Sequence, residues 1–434
     1  MAGLKTTFTS DVLTMPDGSE AELMGWIYTK RLHGGMVFLT LRDSKGLLQA
    51  AFKRGVSDPD TMRLAAEILT ESSVKVRGLV RKDERAPGGA EIHCSSLEPI
   101  GRSMKEFPIK KKATVRFQLD HRHLHIRSPR VAAFMKAKSA FVQASRTWLE
   151  GEGFHEIECP TLVTASVEGG ATLFPVDYFG RKAYLTQSVQ LYQEAAIFGL
   201  ERVYSLQPSF RAEKSRTPRH LTEFAHLEAE VAFADLDDIM RVQEEMLSFA
   251  IREVQSRCQA ELSFLRKRID TEVSEPPYPR ITYTEALDII RRKGLELEWG
   301  ADLGADEETL LSEEFEKPFF VTSYPREAKG TFYHLPDSND PRVLRCADLL
   351  APGGYGEIIG GGQRIHDYDQ LVESIKSWGL NPDDYEWYLD LRRYGSVPHS
   401  GFGLGIERTV RWLLGLPHVR DASLFPRTPT RIYP

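Results

Sequence analysis

Cysteine is scarce in this chain: four occur in 434 residues, Cys94, Cys159, Cys258 and Cys346, far apart and never as a CxxC pair. That spacing argues against a zinc ribbon and against a disulfide framework. No apolar run approaches the length that crosses a bilayer, and the residues after Met1 lack the basic-then-apolar order of a secretory signal. A cytoplasmic protein is therefore expected. Neither GxxxxGK[ST] nor GxGxxG occurs, so a nucleotide would have to be held by another device. Positive charge is not in excess either. Lys and Arg number 56 against 62 Asp and Glu, a net charge of −6, so contact with nucleic acid would come from local patches.

The length exceeds one ordinary core, and the pattern changes along it. In the first hundred residues, segments 21–29, 36–43, 47–53, 73–81 and 91–100 alternate apolar and polar residues between glycine-containing turns. Five short strands with an aromatic-bearing face suit a small barrel of the oligonucleotide-binding type. A basic stretch follows, in which Lys105, Lys110, Lys111, Lys112, Arg116, Arg122, Arg127 and Arg130 face only Glu106 and Asp120. By charge alone it reads as a solvated linker. The alternating His121, His123 and His125 are read as strand alternation rather than a metal site, because nothing nearby supplies the outer hydrogen bonds that such a site needs. Helical spacing then runs over 131–152, followed by an extended run at 154–162 that contains Pro160.

Two strings carry chemistry. FRAEKSRTPRHLTEF, residues 210–224, supplies Arg211, Glu213, His220 and Phe224; GFGLGIER, residues 401–408, supplies Arg408. Guanidinium groups stay charged and grip phosphate oxygens bidentately, and an aromatic ring opposite an arginine plane can sandwich a purine. The two strings resemble motifs 2 and 3 of the class II aminoacyl-tRNA synthetases, in their aspartyl, asparaginyl and lysyl subgroup. Segment 131–162 is similar to motif 1 of that family, which implies a homodimer. RLHGGMVFLTLRDSKGLLQA, residues 31–50, resembles the subgroup's anticodon-binding barrel.

The resemblance implies an α+β architecture. An OB-fold barrel (1–104) and a basic linker (105–130) precede a catalytic domain (131–434) built on an antiparallel sheet flanked by helices. Residues 255–335, with the acidic string ADEETLLSEEFEK, look like an insertion expected to be helical and solvated. The resemblance also implies ATP and Mg²⁺ as cofactors and tRNA as partner. Arg211, Glu213, Arg219, His220, Leu221, Phe224, Gly405, Ile406, Glu407 and Arg408 would contact ATP. Glu357, with Asp348, would hold the metal through hard carboxylate oxygens. Phe38 would stack on an anticodon base, with Arg31 and Gln49 reading base edges. Where the family often has a glutamate in the fourth barrel strand, this chain has Arg77.

Amino-acid choice rests on fewer residues. By the resemblance, Glu168 would hold the substrate α-ammonium and Arg364 its side-chain carbonyl, with Gln190 and Arg211 also in contact. In the aspartyl members a lysine follows the QLY-like triplet and neutralises the substrate carboxylate; here Gln193 stands there, followed by Glu194. An acid at that place repels aspartate and accepts a hydrogen bond from an amide NH2. GEIIGGGQR, residues 356–364, and YGSVPHSGFGLGIER, residues 394–408, resemble the archaeal form of the asparaginyl members; the aspartyl form commonly has serine where Gly360 stands. The expected reaction is ligation of L-asparagine to tRNA through an asparaginyl-adenylate. An aspartyl-tRNA synthetase, an asparagine synthetase derived from this fold and an inactive tRNA-binding regulator are the rival readings. The missing lysine, the intact barrel with Phe38, and the intact Arg211, Glu213, Glu357 and Arg408 argue against them in turn.

Overall fold

The computed structural model describes residues 4–165, 167, 172–214 and 217–434. It divides into two units, Met1–His121 and Arg122–Pro434.

In the first unit the five expected strands all form: β1 (Glu20–His33), β2 (Met36–Arg42), β3 (Leu47–Phe52), β4 (Ser73–Lys82) and β5 (Ala90–Gly101). They close into a barrel in the order β1-β2-β3-β5-β4. The β3–β5 pair is parallel and the other pairs are antiparallel. Strand alternation sends Leu23, Val37, Leu39, Leu41, Val74, Val76 and Ile92 inward. Phe38, between Val37 and Leu39, is therefore on the outer face and half-buried there.

The β4–β5 ladder leaves no room for a side chain at one position. At Gly78, where a bulge interrupts the β4–β5 ladder, an added Cβ would lie 2.7 Å from the His93 carbonyl carbon and 2.8 Å from the Cys94 Cα. Backbone atoms held in a ladder cannot yield as a flexible side chain can. Gly78→Ala is expected to destabilise the barrel by about 1–3 kcal/mol, the usual cost of overpacking. Hydrogen exchange should accelerate in all five barrel strands and stay unchanged in the second unit; unchanged exchange in the barrel would contradict the steric argument.

Past the barrel, His121 caps the helix Val115–Asp120, and His123 and His125 lie on the short helix Arg122–His125, so the three do not share the strand expected for them. Arg122 leaves the solvated run as well. It is buried in the second unit and donates to the Leu424 carbonyl at 2.9 Å and the Ser423 carbonyl at 2.8 Å.

The first long helix of the second unit is Pro129–Gly151. The extended run after it forms only β6 (His155–Glu156) and the start of β7 (Leu162–Val163) as ladder. β7 joins β8 (Pro175–Tyr178) and β9 (Arg181–Leu185) in a small sheet of order β7-β9-β8. The main sheet adds β10 (Arg202–Phe210), β11 (Glu223–Ala232), β12 (Arg280–Thr282), β13 (Phe319–Thr322), β14 (Cys346–Ala351), β15 (Gly356–Gln363) and β16 (His399–Gly405). Its order among the described residues is β12-β13-β14-β15-β16-β11-β10-β6. It is antiparallel except for the parallel pairs at its two edges, β12–β13 and β10–β6.

The two faces of this sheet differ. Leu227, Ala229 and Val231 of β11, Leu349 of β14, Ile359 of β15, and Phe402 and Leu404 of β16 share one core with the helices Pro129–Gly151 and Leu236–Arg257. The alternate residues, Phe224, His226, Glu228 and Glu230 among them, must point to the opposite face. Polar residues in a central strand therefore mark that face as the working one.

The insertion is not the solvated appendage that its acidic string suggested. β12 and β13 extend the main sheet, and Tyr283, Leu287, Ile290, Leu311, Phe319, Val321 and Tyr324 share a second core with Leu344 and with Cys346 and Leu350 of β14. The acidic string does form a helix, Ala305–Ser312, but Glu308, Leu311 and Ser312 are buried. Spacing of three and four residues puts them on one side of it.

Candidate active site

The loop between β10 and β11 carries Arg211 through Thr222, and the Arg211 amide donates to the Thr222 carbonyl at 3.1 Å, which draws the loop ends together. Arg211, Arg219, His220, Phe224, Glu357 and Arg408 then line one cavity. Arg408 stands in the first turns of the helix Ile406–Leu413, at the end of β16, and its Nη1 meets Glu357 Oε2 at 2.9 Å. The Arg211 guanidinium lies 5.5 Å from the centre of the Phe224 ring. His220 Nδ1 pairs with Thr217 Oγ1 at 2.5 Å, and its Nε2 is 3.6 Å from Glu213 Oε2. Burial, with the charges of Arg408, Arg219 and Arg211, brings the His220 pKa down to about 4. At neutral pH its imidazole is uncharged.

The glycine alternation of β16 makes room for this face. β16 pairs with β11 so that Gly401, Gly403 and Gly405 stand opposite Glu230, Glu228 and His226. A Cβ at Gly401 would collide with the Glu230 carboxylate, and one at Gly403 would lie 2.9 Å from His226 Cε1. Side chains of β11 thus occupy the space that the glycines leave.

A second cavity, of about 440 Å³, adjoins the first and shares Arg211, His226, Glu357 and Gly403 with it. On one wall, Glu357 of β15 and Asp348 of β14 face Lys329, whose ammonium pairs with Asp348. Burial opposes ionisation of Glu357, but Arg408, Lys329, Arg211 and Arg219 hold its pKa down to about 2. Burial likewise opposes the Lys329 charge, and Asp348 more than restores it. These carboxylates fit a divalent cation. Asp348 Oδ1 is buried without a hydrogen-bond partner among the described residues, and a Cβ at Gly360 would sit 3.1 Å from Glu357 Oε1 and 3.3 Å from Asp348 Oδ1. Both oxygens thus border one cradle that a side chain at Gly360 would fill.

The opposite wall is built from Ser188, Gln190, Gln193, Glu228, Glu230 and Arg364. Arg364 engages Glu230 through Nε at 3.0 Å and Nη2 at 3.1 Å. Gln193 Nε2 donates to Ser205 Oγ at 3.1 Å and to the Glu228 carbonyl at 2.9 Å, which fixes the orientation of its amide. Ser188 Oγ donates to Glu228 Oε1.

Glu194 lies beneath this wall and not on it. Its Oε1 accepts from Gln190 Nε2 at 2.9 Å; its Oε2 accepts from Arg392 Nη2 at 2.6 Å and Tyr388 Oη at 2.6 Å, and pairs with His399 Nε2 at 2.9 Å. Burial alone would raise its pKa, but Arg392, His399 and Arg364 keep it well below the ordinary carboxylate range. Glu194, Glu230 and His399 offer ligand atoms within 4.8 Å of one another. The guanidiniums of Arg392 and Arg364 already neutralise both carboxylates, so a further cation gains little there.

A family model described as tRNA synthetases class II (D, K and N) matches residues 114–429, and an OB-fold nucleic acid binding domain matches residues 21–100. The chain belongs to the class II tRNA synthetases. An asparagine–tRNA ligase of Pyrococcus abyssi is 53% identical over 435 residues, covering 99% of this chain and 100% of the relative. One from Thermococcus kodakarensis is 55% identical over 429 residues, covering 98% and 99%. The crystal structure of asparaginyl-tRNA synthetase from Pyrococcus horikoshii complexed with asparaginyl-adenylate superposes with a TM-score of 0.96 at 53% identity, covering 100% of both chains.

Within this synthetase the residues expected to meet ATP gather on one cavity, with two exceptions. Glu213 lines the second cavity instead. Ile406 is fully buried in the helix–sheet core and does not line the first. Glu407 reaches the lining while its carboxylate binds Lys138 Nζ at 2.5 Å and the Ala225 amide at 3.0 Å. Gln190 and Arg364 both line the second cavity. Glu194 departs from its expected place as the acceptor for a substrate amide, because both of its oxygens are engaged by protein donors. Glu168 lies outside the described residues. In the barrel, Arg31 and Phe38 are cross-strand partners with the guanidinium 5.0 Å from the ring centre. Gln49 Nε2 is turned to Glu91 Oε2 at 2.6 Å, and Arg77 pairs with Glu22 across β1 and β4. Sequence reasoning did not reach His226, Glu228 or Glu230. The period-two run Phe224, His226, Glu228, Glu230 was the available signal. Lys329, from the insertion, gave none.

Proposed function

We propose that this synthetase activates L-asparagine with ATP and transfers it to tRNA, releasing AMP and pyrophosphate. The observation that carries the choice of asparagine is Gln193: the wall where a lysine would neutralise an aspartate side chain holds an oriented neutral amide between Ser205 and the Glu228 carbonyl. A carboxylate substrate finds no added cation at that position, whereas a carboxamide needs none. The names of the full-length relatives support the same reading.

ATP occupies the first cavity in this reading, its adenine between Phe224 and Arg408, and asparagine occupies the second. The substrate carboxylate attacks the α-phosphorus where the cavities meet, at Arg211, which stabilises the charge growing on the α-phosphate. His220, held neutral, donates to the outer phosphates without adding charge. Glu357 and Asp348 would hold Mg²⁺, which when bound offsets charge on the departing pyrophosphate. Arg364, braced by Glu230, meets the substrate side-chain carbonyl. The terminal adenosine hydroxyl of tRNA then takes the asparaginyl group. The outer face of the barrel, with Phe38 and Arg31, stacks on anticodon bases, and helix Pro129–Gly151 with the strand after it forms a homodimer contact.

Pyrophosphate exchange measured with each amino acid in turn tests the specificity. Exchange driven by asparagine should exceed that driven by aspartate by on the order of 10⁴-fold, the discrimination that a polar site can supply. Equal exchange, or more with aspartate, would transfer the assignment to the aspartyl reading.

A further inference from the structure

The insertion places a carboxylate behind Arg219, a residue that lines the nucleotide cavity, and the proposed reaction makes no use of it. Glu308, on the helix Ala305–Ser312, pairs through Oε2 with Arg219 Nη2 at 2.6 Å, their side chains 10% and 7% exposed. The same oxygen accepts the backbone amide of Glu357 at 2.6 Å. Arg219 Nη1 reaches the Ala305 carbonyl at 3.4 Å on that helix, while Arg219 Nε is buried without a hydrogen-bond partner among the described residues. Gly356, next to Glu357 and with φ +72°, makes the junction possible: a Cβ there would lie 2.5 Å from Glu308 Oε2 and would overlap Arg219 Nη1.

We propose that Glu308 is a positioning residue for the triphosphate of ATP, holding Arg219 of the β10–β11 loop and the start of β15 in the relative placement that the phosphates require. The inference rests on the reading of ATP as the nucleotide. Two chain segments far apart in sequence, one carrying a guanidinium and the other the carboxylate of Glu357, are tied by a single oxygen of a third. A buried ion pair of this kind adds little net stability compared with apolar packing, and the insertion is already docked by the apolar core that it shares with β14. The pair's effect is on position. With Glu308 in place, Arg219 Nη2 is fixed from behind while the residue lines the cavity.

The test uses the full-length chain with Glu308→Gln, Arg219→Ala and the double variant. Each is measured by calorimetric titration with ATP and by KM for ATP and for asparagine in pyrophosphate exchange. Glu308→Gln keeps an acceptor for the Glu357 amide and removes the charge opposite Arg219. It is expected to weaken ATP by on the order of 10-fold or more, the usual effect of losing a charge-assisted hydrogen bond, and to leave the asparagine KM within about twofold. In the Arg219→Ala background it should weaken ATP no further, since interacting residues are not additive. Gly356→Ala, which breaks the same junction from the strand side, should reproduce the ATP-specific loss if Glu308→Gln proves unstable. ATP affinity equal to the wild type in Glu308→Gln, or losses that multiply in the double variant, would overturn the proposal. A wild-type protein that binds ATP but shows no asparagine-dependent exchange would instead sink the proposed activity, and the ATP titrations would still decide the role of Glu308.

Discussion

Replacing Arg211 with alanine should lower the rate of adenylate formation by on the order of 10²–10³-fold, the loss seen when one preorganised charge contact is removed from a transition state. Arg211 lines both cavities, so it stands where the bond between substrate carboxylate and α-phosphorus would form. Its backbone amide closes the loop on Thr222 and is unaffected by the change. Arg211→Lys retains the charge but not the planar fork, and its rate should fall between the two. Both variants should unfold in urea at the wild-type midpoint. Single-turnover adenylate formation, measured before any transfer to tRNA, separates this from a defect in charging. A rate within a few-fold of wild type for Arg211→Ala would leave Arg211 a structural role and no part in the chemistry.

What the sequence made legible, and what it hid, follows from how each feature is encoded. The barrel was readable because period-two alternation in β1 to β5 reports directly on which side chains enter a core, and Phe38 out of phase with Val37 and Leu39 marks the outer face. The clustering on the first cavity was readable because its arginines and Phe224 sit in two short strings whose composition has few other uses. The insertion misled because charge was counted without its helical phase. Among Asp306, Glu307 and Glu308, the last alone faces Arg219, and the partner 89 positions away gives no local hint. Glu194 misled for a related reason. The string QSVQLYQEAA shows an acid near the substrate but not the cations behind it, since Arg392 and His399 arrive from 198 and 205 positions downstream. A buried charge can be assigned to a ligand or to the protein only when its partners are known.

Glu194→Ala should accordingly be the most destabilising single change in the catalytic unit, by about 3–5 kcal/mol, because it leaves a buried guanidinium uncompensated. Glu194 and Arg392 side chains are both 0% exposed, and Arg392 Nη1 already lacks a partner, so water cannot take over the lost pairing without opening the core. The same change unties Tyr388, His399 and Gln190, which come from three separate elements. Gln190 is the member on the cavity wall, so any folded fraction should show a raised KM for asparagine with the KM for ATP unaltered. The pH dependence has a definite sign. A carboxyl whose folded pKa is depressed contributes stability at pH values above its unfolded pKa and loses it as the pH falls toward the folded one. The gap between wild type and Glu194→Ala should therefore be full at neutral pH and narrow in acid below the ordinary carboxylate range. Urea unfolding of the two proteins across pH measures it. A gap that stays constant into strong acid would mean that Glu194 acts by filling space and not by its charge. An asparagine KM unchanged in the folded variant would mean that Gln190 holds its place without Glu194.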